Sequence, residues 1–396
     1  MPLKEIEKQI SKSASPVVKE MGGTRFVFDY IDVSGLVWVE SSCQFLFLAE
    51  PAFFVFVSLF HAQSKSTIVE SCVRRYELPA NECAIFVDEI EDKMNALAQQ
   101  TYSDIRHTTD RIHDLNNLFS STYLFGSKTI TLKCENETIQ HYFHPLFSHL
   151  KAQELAVDNL SMELFSDNQS LCIQQDVDEC ECWSKSDIPH FKGSVMGKML
   201  NFIYDKRDAD WLMTMHASGI SDGSRSILFS AAAGCGKSTV AALLHAQGYE
   251  LLSDDFIPVD LAGDAYRFPM AISVKSGSVD TLKPYYPTLN QISPLVAGNG
   301  KLVQFLPPNP PKVTKDKFPI QAIVFVNYST EAAFDFSEMS SSDALPILLS
   351  EVFVQPELET VRAFMQWVKI IQFYNLTYSD SEAAIRSIKS IFEAHD

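Results

Sequence analysis

Apolar and polar positions fall into three differently patterned stretches along this 396-residue chain. Between 24 and 100, "GLVWVE" (35–40) and "CQFLFLAE" (43–50) have the short, aromatic-rich character of strands, with a turn at Ser41-Ser42. Helical spacing comes next. Pro51 opens a helix running to about Ala62, and Ser64 or Ser66 caps a second in which Ile68, Cys72 and Val73 share a face. A third begins at Asn81 and puts Phe86, Ile90, Met94 and Leu97 on one stripe. From 118 to 208 the pattern shortens to strand-length runs, "YLFGSKTITLKC", "ETIQHYF", "SMELFSD", "SLCIQQD" and "ECECW", and then a helix, "FKGSVMGKMLNFIYDK". From 209 onward strand and helix alternate through Gly248. Strands "ELLSDDFIPVD", "AISVKSG", "KLVQFLP" and "QAIVFVNYS" come after it, with helices around 342–353, 356–372 and 380–394.

These patterns predict an α/β protein. A small winged-helix-like α+β domain spans 24–100, a polar linker 101–117, a β-rich subdomain 118–208 and a nucleotide-binding core 209–396. A winged helix raises the thought of DNA, but residues 24–100 hold five Lys/Arg against eleven Asp/Glu. The whole chain carries a formal charge of −18. Both features repel phosphate backbones, so no nucleic-acid partner is expected. The most apolar run, "FLFLAEPAFFVFVSLF" (45–60), is split by Glu50 and Pro51 and is shorter than the roughly 20 residues of a membrane span. The first sixteen residues lack the apolar segment of a secretory signal, from which a cytoplasmic location is expected. The eight cysteines form no C-x-x-C pair, and all are read as free thiols, with Cys180 and Cys182 on one strand face.

The chemistry concentrates in "SAAAGCGKST" (230–239), which lies between the apolar strand "SRSILFS" and the helix "KSTVAALLHAQG". Strand, glycine loop and helix N-terminus together make a phosphate nest. Its backbone comes from Ala233, Gly234, Cys235, Gly236, Lys237, Ser238 and Thr239; Lys237 reaches for phosphate, and the Ser238 hydroxyl suits Mg²⁺. Ala231 stands where the G-x-x-x-x-G-K-[ST] pattern has its first glycine, a departure that is cheap if φ there is negative. "LLSDDF" places Asp254 and Asp255 at the end of a neighbouring strand, on the rim that the loop occupies in a parallel sheet. Paired carboxylates beside phosphate imply a cation. His216, in "MTMHASGI", is placed on a strand beside "SILFS".

The stretch "MHASGI…ILFSAAAGCGKSTVAALLHAQGYELLSDDFIPVD" resembles the HPr kinase/phosphorylase family, whose nucleotide-binding core is shared with phosphoenolpyruvate carboxykinases. The resemblance implies ATP and Mg²⁺, Asp254 as base on the acceptor hydroxyl, Asp255 and Ser238 on the metal, and Lys237 on the phosphates. It also gives His216 a supporting role and makes Lys275 an additional cation. The arginine-bearing glycine loop of true HPr kinases is not found, so neither HPr as substrate nor phosphorolysis is expected. The N-terminal pattern resembles the PqqD-like module, which in peptide-modifying enzymes takes an extended leader peptide onto a sheet edge. Together these imply a kinase for a Ser/Thr hydroxyl on a tethered precursor peptide. A small-molecule hydroxyl (serine or a sugar) as acceptor, a non-catalytic nucleotide-dependent scaffold, and the oligomeric state all stay open.

Overall fold

A computed structural model describes residues 15–61, 63–101, 107–109, 118–167, 169–175, 180–232, 234–296 and 300–394. Ala233 and most of 101–117 lie outside these residues; of the latter segment, His107–Thr109 is a strand paired with Cys180–Cys182.

The chain begins as an antiparallel meander, β1 (Val17–Met21), β2 (Thr24–Ile31), β3 (Ser34–Val39) and β4 (Gln44–Leu48), paired in that order. Helices α1 (Glu50–Phe60), α2 (Lys65–Tyr76) and α3 (Ala80–Gln99) come next. Ser64 caps α2 by accepting from the Thr67 N–H. The first two strands go beyond the sequence expectation, because "TRFVFDYI" is apolar on both faces and carries no alternation. Both faces are indeed covered. Phe26, Phe28, Val37 and Val39 pack on the three helices, while Val27, Ile31, Leu36 and Trp38 enter the core of the C-terminal half.

The second sheet holds β5 (His107–Thr109), β6 (Phe119–Phe125), β7 (Lys128–Cys134), β8 (Asn159–Asp167), β9 (Ser170–Gln174) and β10 (Cys180–Ser184). They are ordered β5-β10-β9-β8-β7-β6. "ETIQHYF", expected as a strand, is instead helix α4 (Glu137–Phe147). Asn136 caps it through the Ile139 N–H, and Ile139, Phe143, Leu146 and Phe147 form a helical stripe that outweighs the β-branched and aromatic content. Helix α4 crosses between the parallel pair β7 and β8, a connection a hairpin cannot make. The expectation of thiols only is also overturned. Cys172 and Cys182 are directly opposite on β9 and β10 and form a disulfide, with Cα atoms 4.1 Å apart. Cys180 and Cys182 do share a buried face, with Cys172 and Phe165.

Helix α5 (Ile188–Tyr204) leads to the third and largest sheet. Its strands are β11 (Trp211–Met215), β12 (Ser218–Ser221), β13 (Ser226–Ser230), β14 (Glu250–Ser253), β15 (Ile257–Asp260) and β16 (Asp264–Tyr266), with four more below. Helix α6 (Lys237–Ala246) lies between β13 and β14. A three-stranded sheet of β17 (Ile272–Lys275), β18 (Leu295–Val296) and β19 (Leu302–Leu306) carries the short helix α7 (Val279–Leu282). The chain then completes the large sheet with β20 (Lys317–Tyr328), β21 (Asp335–Met339), β22 (Val352–Val354) and β23 (Gln372–Tyr378). Helices α8 (Ser341–Glu351), α9 (Leu358–Trp367) and α10 (Ser381–Glu393) are interspersed.

The sheet is mixed rather than parallel. Strand β13 runs parallel to β20, and β20 to β23, but β12 is antiparallel to both β13 and β14 and separates them. Two antiparallel steps restore direction, so β13 and β14 still end on one rim. "ELLSDDFIPVD" is two strands broken at Asp254-Asp255-Phe256, where Asp255 adopts φ 68. One face of the sheet carries α6, α10 and the three-stranded sheet. The other carries α8 and α9, and against these the N-terminal meander docks: the Phe45 and Phe364 ring centroids are 5.2 Å apart, and buried Asp29 pairs with Lys369.

Candidate active site

Strand β13 delivers the chain to the loop, and α6 receives it. Gly234 and Gly236 both sit at φ 101, in the left-handed region that only glycine enters freely. Ala231 is not among the positive-φ residues and is buried, so alanine fits where the pattern has glycine. Gly234 and Gly236 thus take a turn that glycine permits, and the departure at Ala231 carries no positive-φ strain.

Lys237, the first residue of α6, is only 6% exposed and needs polar partners to hold its charge. It has two: Nζ lies 2.9 Å from Asp255 Oδ1 and 2.5 Å from His216 Nε2. His216 occupies the link between β11 and β12 rather than a strand, and it is half-exposed. Glu351, at the end of α8, grips it twice. The His216 backbone N–H donates to the Glu351 carbonyl at 2.7 Å, and Nδ1 is 2.8 Å from Oε2. Nδ1–H thus donates to Glu351, leaving the Nε2 lone pair toward Lys237 and the loop. Asp255, 3.4 Å away, raises the imidazole pKa chiefly by hydrogen bonding, against burial and Lys237. With Nδ1 on Glu351, Nε2 is the ring nitrogen that faces both Lys237 and Asp255.

The two aspartates divide sharply. Asp254 is 1% exposed; it accepts from the Ser218 hydroxyl and, at 2.8 Å, from the Ser273 N–H. Burial, with the neighbouring Asp255 charge, pushes its pKa up to about 6. Asp255 faces outward with a side chain 38% exposed. Desolvation would raise it, but the His216 hydrogen bond and Lys237 outweigh that and hold it well below the ordinary carboxylate range. Its left-handed φ is the kind of strain that a non-glycine residue keeps where its position matters.

Ser238 comes after Lys237 in the first turn of α6, half-buried, and Thr239 Oγ1 contacts Ser278 Oγ at 2.7 Å. Lys275 ends β17, three residues before Ser278. The structure thus brings together His216, Lys237 and Asp255 and sets Asp254 behind them. Ala233 lies outside the described residues. Sequence reading misses Glu351, whose signal is nil because it is 135 positions from His216. It also misses Ser218 and Ser273, which look like ordinary strand residues. Lys192 on α5 escapes too; burial lowers its pKa, and Asp255 is the charge that opposes this.

The described residues contain no group of three or more His, Cys, Asp or Glu placed to hold a metal. One outward carboxylate and one hydroxyl, Asp255 and Ser238, fit an ion such as Mg²⁺ that keeps waters and shares a substrate's phosphate oxygens, not one caged by protein. A groove of about 380 Å³ elsewhere, lined by Glu137, His141 and His144 of α4 and by Leu295 and Phe305, includes none of these residues. No helix among the described residues is long and apolar enough to cross a membrane.

No family model matches the chain, and no curated protein is similar to it. Among solved structures, the Hpr(Ser) kinase/phosphatase from Coxiella burnetii is 11% identical and matches over 46% of this chain and 95% of its own, with a TM-score of 0.21. That likeness is too slight to decide fold or function, and the functional reading rests on the site itself.

Proposed function

We propose that the chain is an ATP- and Mg²⁺-dependent phosphotransferase that moves the γ-phosphate to an alcohol. One observation carries this reading: the buried Lys237 at the head of α6, with its ammonium held between outward-facing Asp255 and Glu351-anchored His216. A loop that only bound nucleotide would need the lysine but neither the strained carboxylate nor the oriented imidazole.

In this reading the loop N–H groups and Lys237 bind the phosphates, and Asp255 with Ser238 would hold Mg²⁺, which supplies charge neutralisation when bound. Lys237 leaves His216 Nε2 for phosphate, and Nε2 accepts the proton of the attacking hydroxyl. Asp254, with both oxygens engaged, fixes Asp255 by holding the strand end on Ser218 and Ser273. It serves as base only if it gives up one of those bonds. Catalysis is then positioning and charge neutralisation, as phosphoryl transfer generally requires.

The acceptor we favour is a Ser or Thr hydroxyl on a precursor peptide tethered by the N-terminal meander and its helices. In support, the opposite meander face is already spent on the core, while β1 is an edge strand with exposed Lys19 and Glu20. An extended peptide pairs naturally with such an edge, and tethering raises the acceptor's local concentration. The test incubates the protein and MgATP with Ser-containing peptides, free serine and simple sugars, and locates new phosphate by mass spectrometry. Phosphate on a peptide hydroxyl supports the reading; phosphate only on free serine or a sugar replaces the acceptor; phosphate on none of them rejects transfer.

A further inference from the structure

The loop has two flanks, and only one is occupied by the catalytic cluster. On the β12 side stand His216, Asp255 and, behind them, Asp254 and Glu351. On the other side β20 runs parallel to β13 and ends at Tyr328. The Tyr328 N–H donates to the Cys235 carbonyl at 2.9 Å, which staples the strand end to the loop. A Cβ placed on Gly236 would lie 3.1 Å from the Tyr328 Cβ and 2.7 Å from the Tyr378 hydroxyl, so both tyrosines press against the loop where it enters α6.

The two rings differ. Tyr378, register partner of Tyr328 on β23, is 1% exposed and acts as a backstop; the centroids are 5.3 Å apart at 61°. Tyr328 is 43% exposed. An aromatic ring held rigidly by a buried neighbour yet open to solvent, beside a phosphate nest, suits a flat ligand group. The reacting phosphate has to lie at Lys237 and His216. The remaining phosphates lie along the loop's N–H groups, away from the Glu351 carboxylate and toward the opposite flank. In a nucleoside triphosphate that end of the phosphate chain bears a sugar and an aromatic base.

The geometry points to Tyr328 as the stacking platform for the nucleobase of the bound nucleoside triphosphate, with Tyr378 as its support. This rests on the nucleotide-binding reading above and adds the site of the base. Stacking on an aromatic ring tolerates any base, since each has a π-face; the contact gives affinity more than choice among bases.

The experiment measures, by calorimetry with Mg²⁺, the affinities of the full chain for ATP and for inorganic tripolyphosphate, which keeps the phosphates and lacks the base. Wild type, Tyr328→Ala and Tyr328→Phe are compared. Tyr328→Ala should weaken ATP about 10-fold and leave tripolyphosphate within twofold, while Tyr328→Phe, which keeps the ring, holds ATP near wild type. Tripolyphosphate binding also shows that the Ala variant is folded. If Tyr328→Ala leaves ATP affinity intact, or weakens both ligands equally, the platform is overturned while phosphate binding stands. If wild type binds neither ligand, the nucleotide reading falls with it.

Discussion

The N-terminal meander and the C-terminal sheet are built on opposite plans. In the first, each strand pairs with the next, and the three helices close one face at once. In the second, strands far apart in sequence lie side by side: β13 pairs with β20 and β11 with β22, and the site they form joins Lys237, His216 and Glu351. Local pairing makes a scaffold that sequence periodicity largely reveals. Long-range pairing makes a site whose partners carry no mark of each other. The candidate site sits in the less legible region, and Glu351, with no motif, holds His216 through both backbone and side chain.

Glu351→Ala strikes at that long-range contact. It frees His216 to turn and to change tautomer, and kcat for phosphate transfer should fall on the order of 10²-fold with little change in KM for ATP. A rise in KM with kcat preserved would make Glu351 a binding residue instead. The junction between the two regions comes next. Lys369→Ala leaves Asp29, 1% exposed, with only the Gln366 and Tyr30 donors. Because Lys369 is itself 30% exposed, the cost should be about 2 kcal/mol rather than the full penalty of a buried pair. Denaturant unfolding checks it, and a loss confined to the meander's own transition would show that the two regions unfold separately.

The smallest effect concerns pH. Asp254 has a folded pKa of about 6, against an unfolded value near 4. The folded state therefore binds its proton first, and the carboxyl costs stability progressively as pH rises from about 4 to about 6. Asp255 has the opposite sign: its folded pKa is depressed, so its contribution is present above about pH 4 and is lost below it. In Asp254→Asn, whose amide oxygen can still accept from the Ser273 N–H, the fall in Tm across pH 4.5 to 7 should flatten by roughly 2 °C. An unchanged slope would place the titrating carboxyl elsewhere.

Legibility in the sequence has the same divide. The glycine loop, its helix and the three N-terminal helices are readable because each is set by residues within a few positions of it, whereas Asp255 reaches the loop's rim through β12, which sequence reading does not place between β13 and β14. Helix α4 reads as a strand because Thr138, Tyr142 and Phe143 look strand-like until Asn136 is recognised as a cap. The Cys172–Cys182 bond is invisible because thiol spacing carries no register; only the antiparallel pairing of β9 and β10 sets them opposite each other. Asp254 looks as available as its neighbour, since nothing near it in sequence shows that Ser218 and Ser273 close around it.

The most direct test of the central claim tracks the radiolabelled γ-phosphate of ATP in a single turnover with peptide acceptor, comparing wild type with Lys237→Ala and Asp255→Asn. The account predicts label on an alcohol oxygen of the acceptor with wild type and a loss of at least about 10³-fold in both variants. Label that stays on ATP with wild type, or transfer that survives in Asp255→Asn, would contradict it.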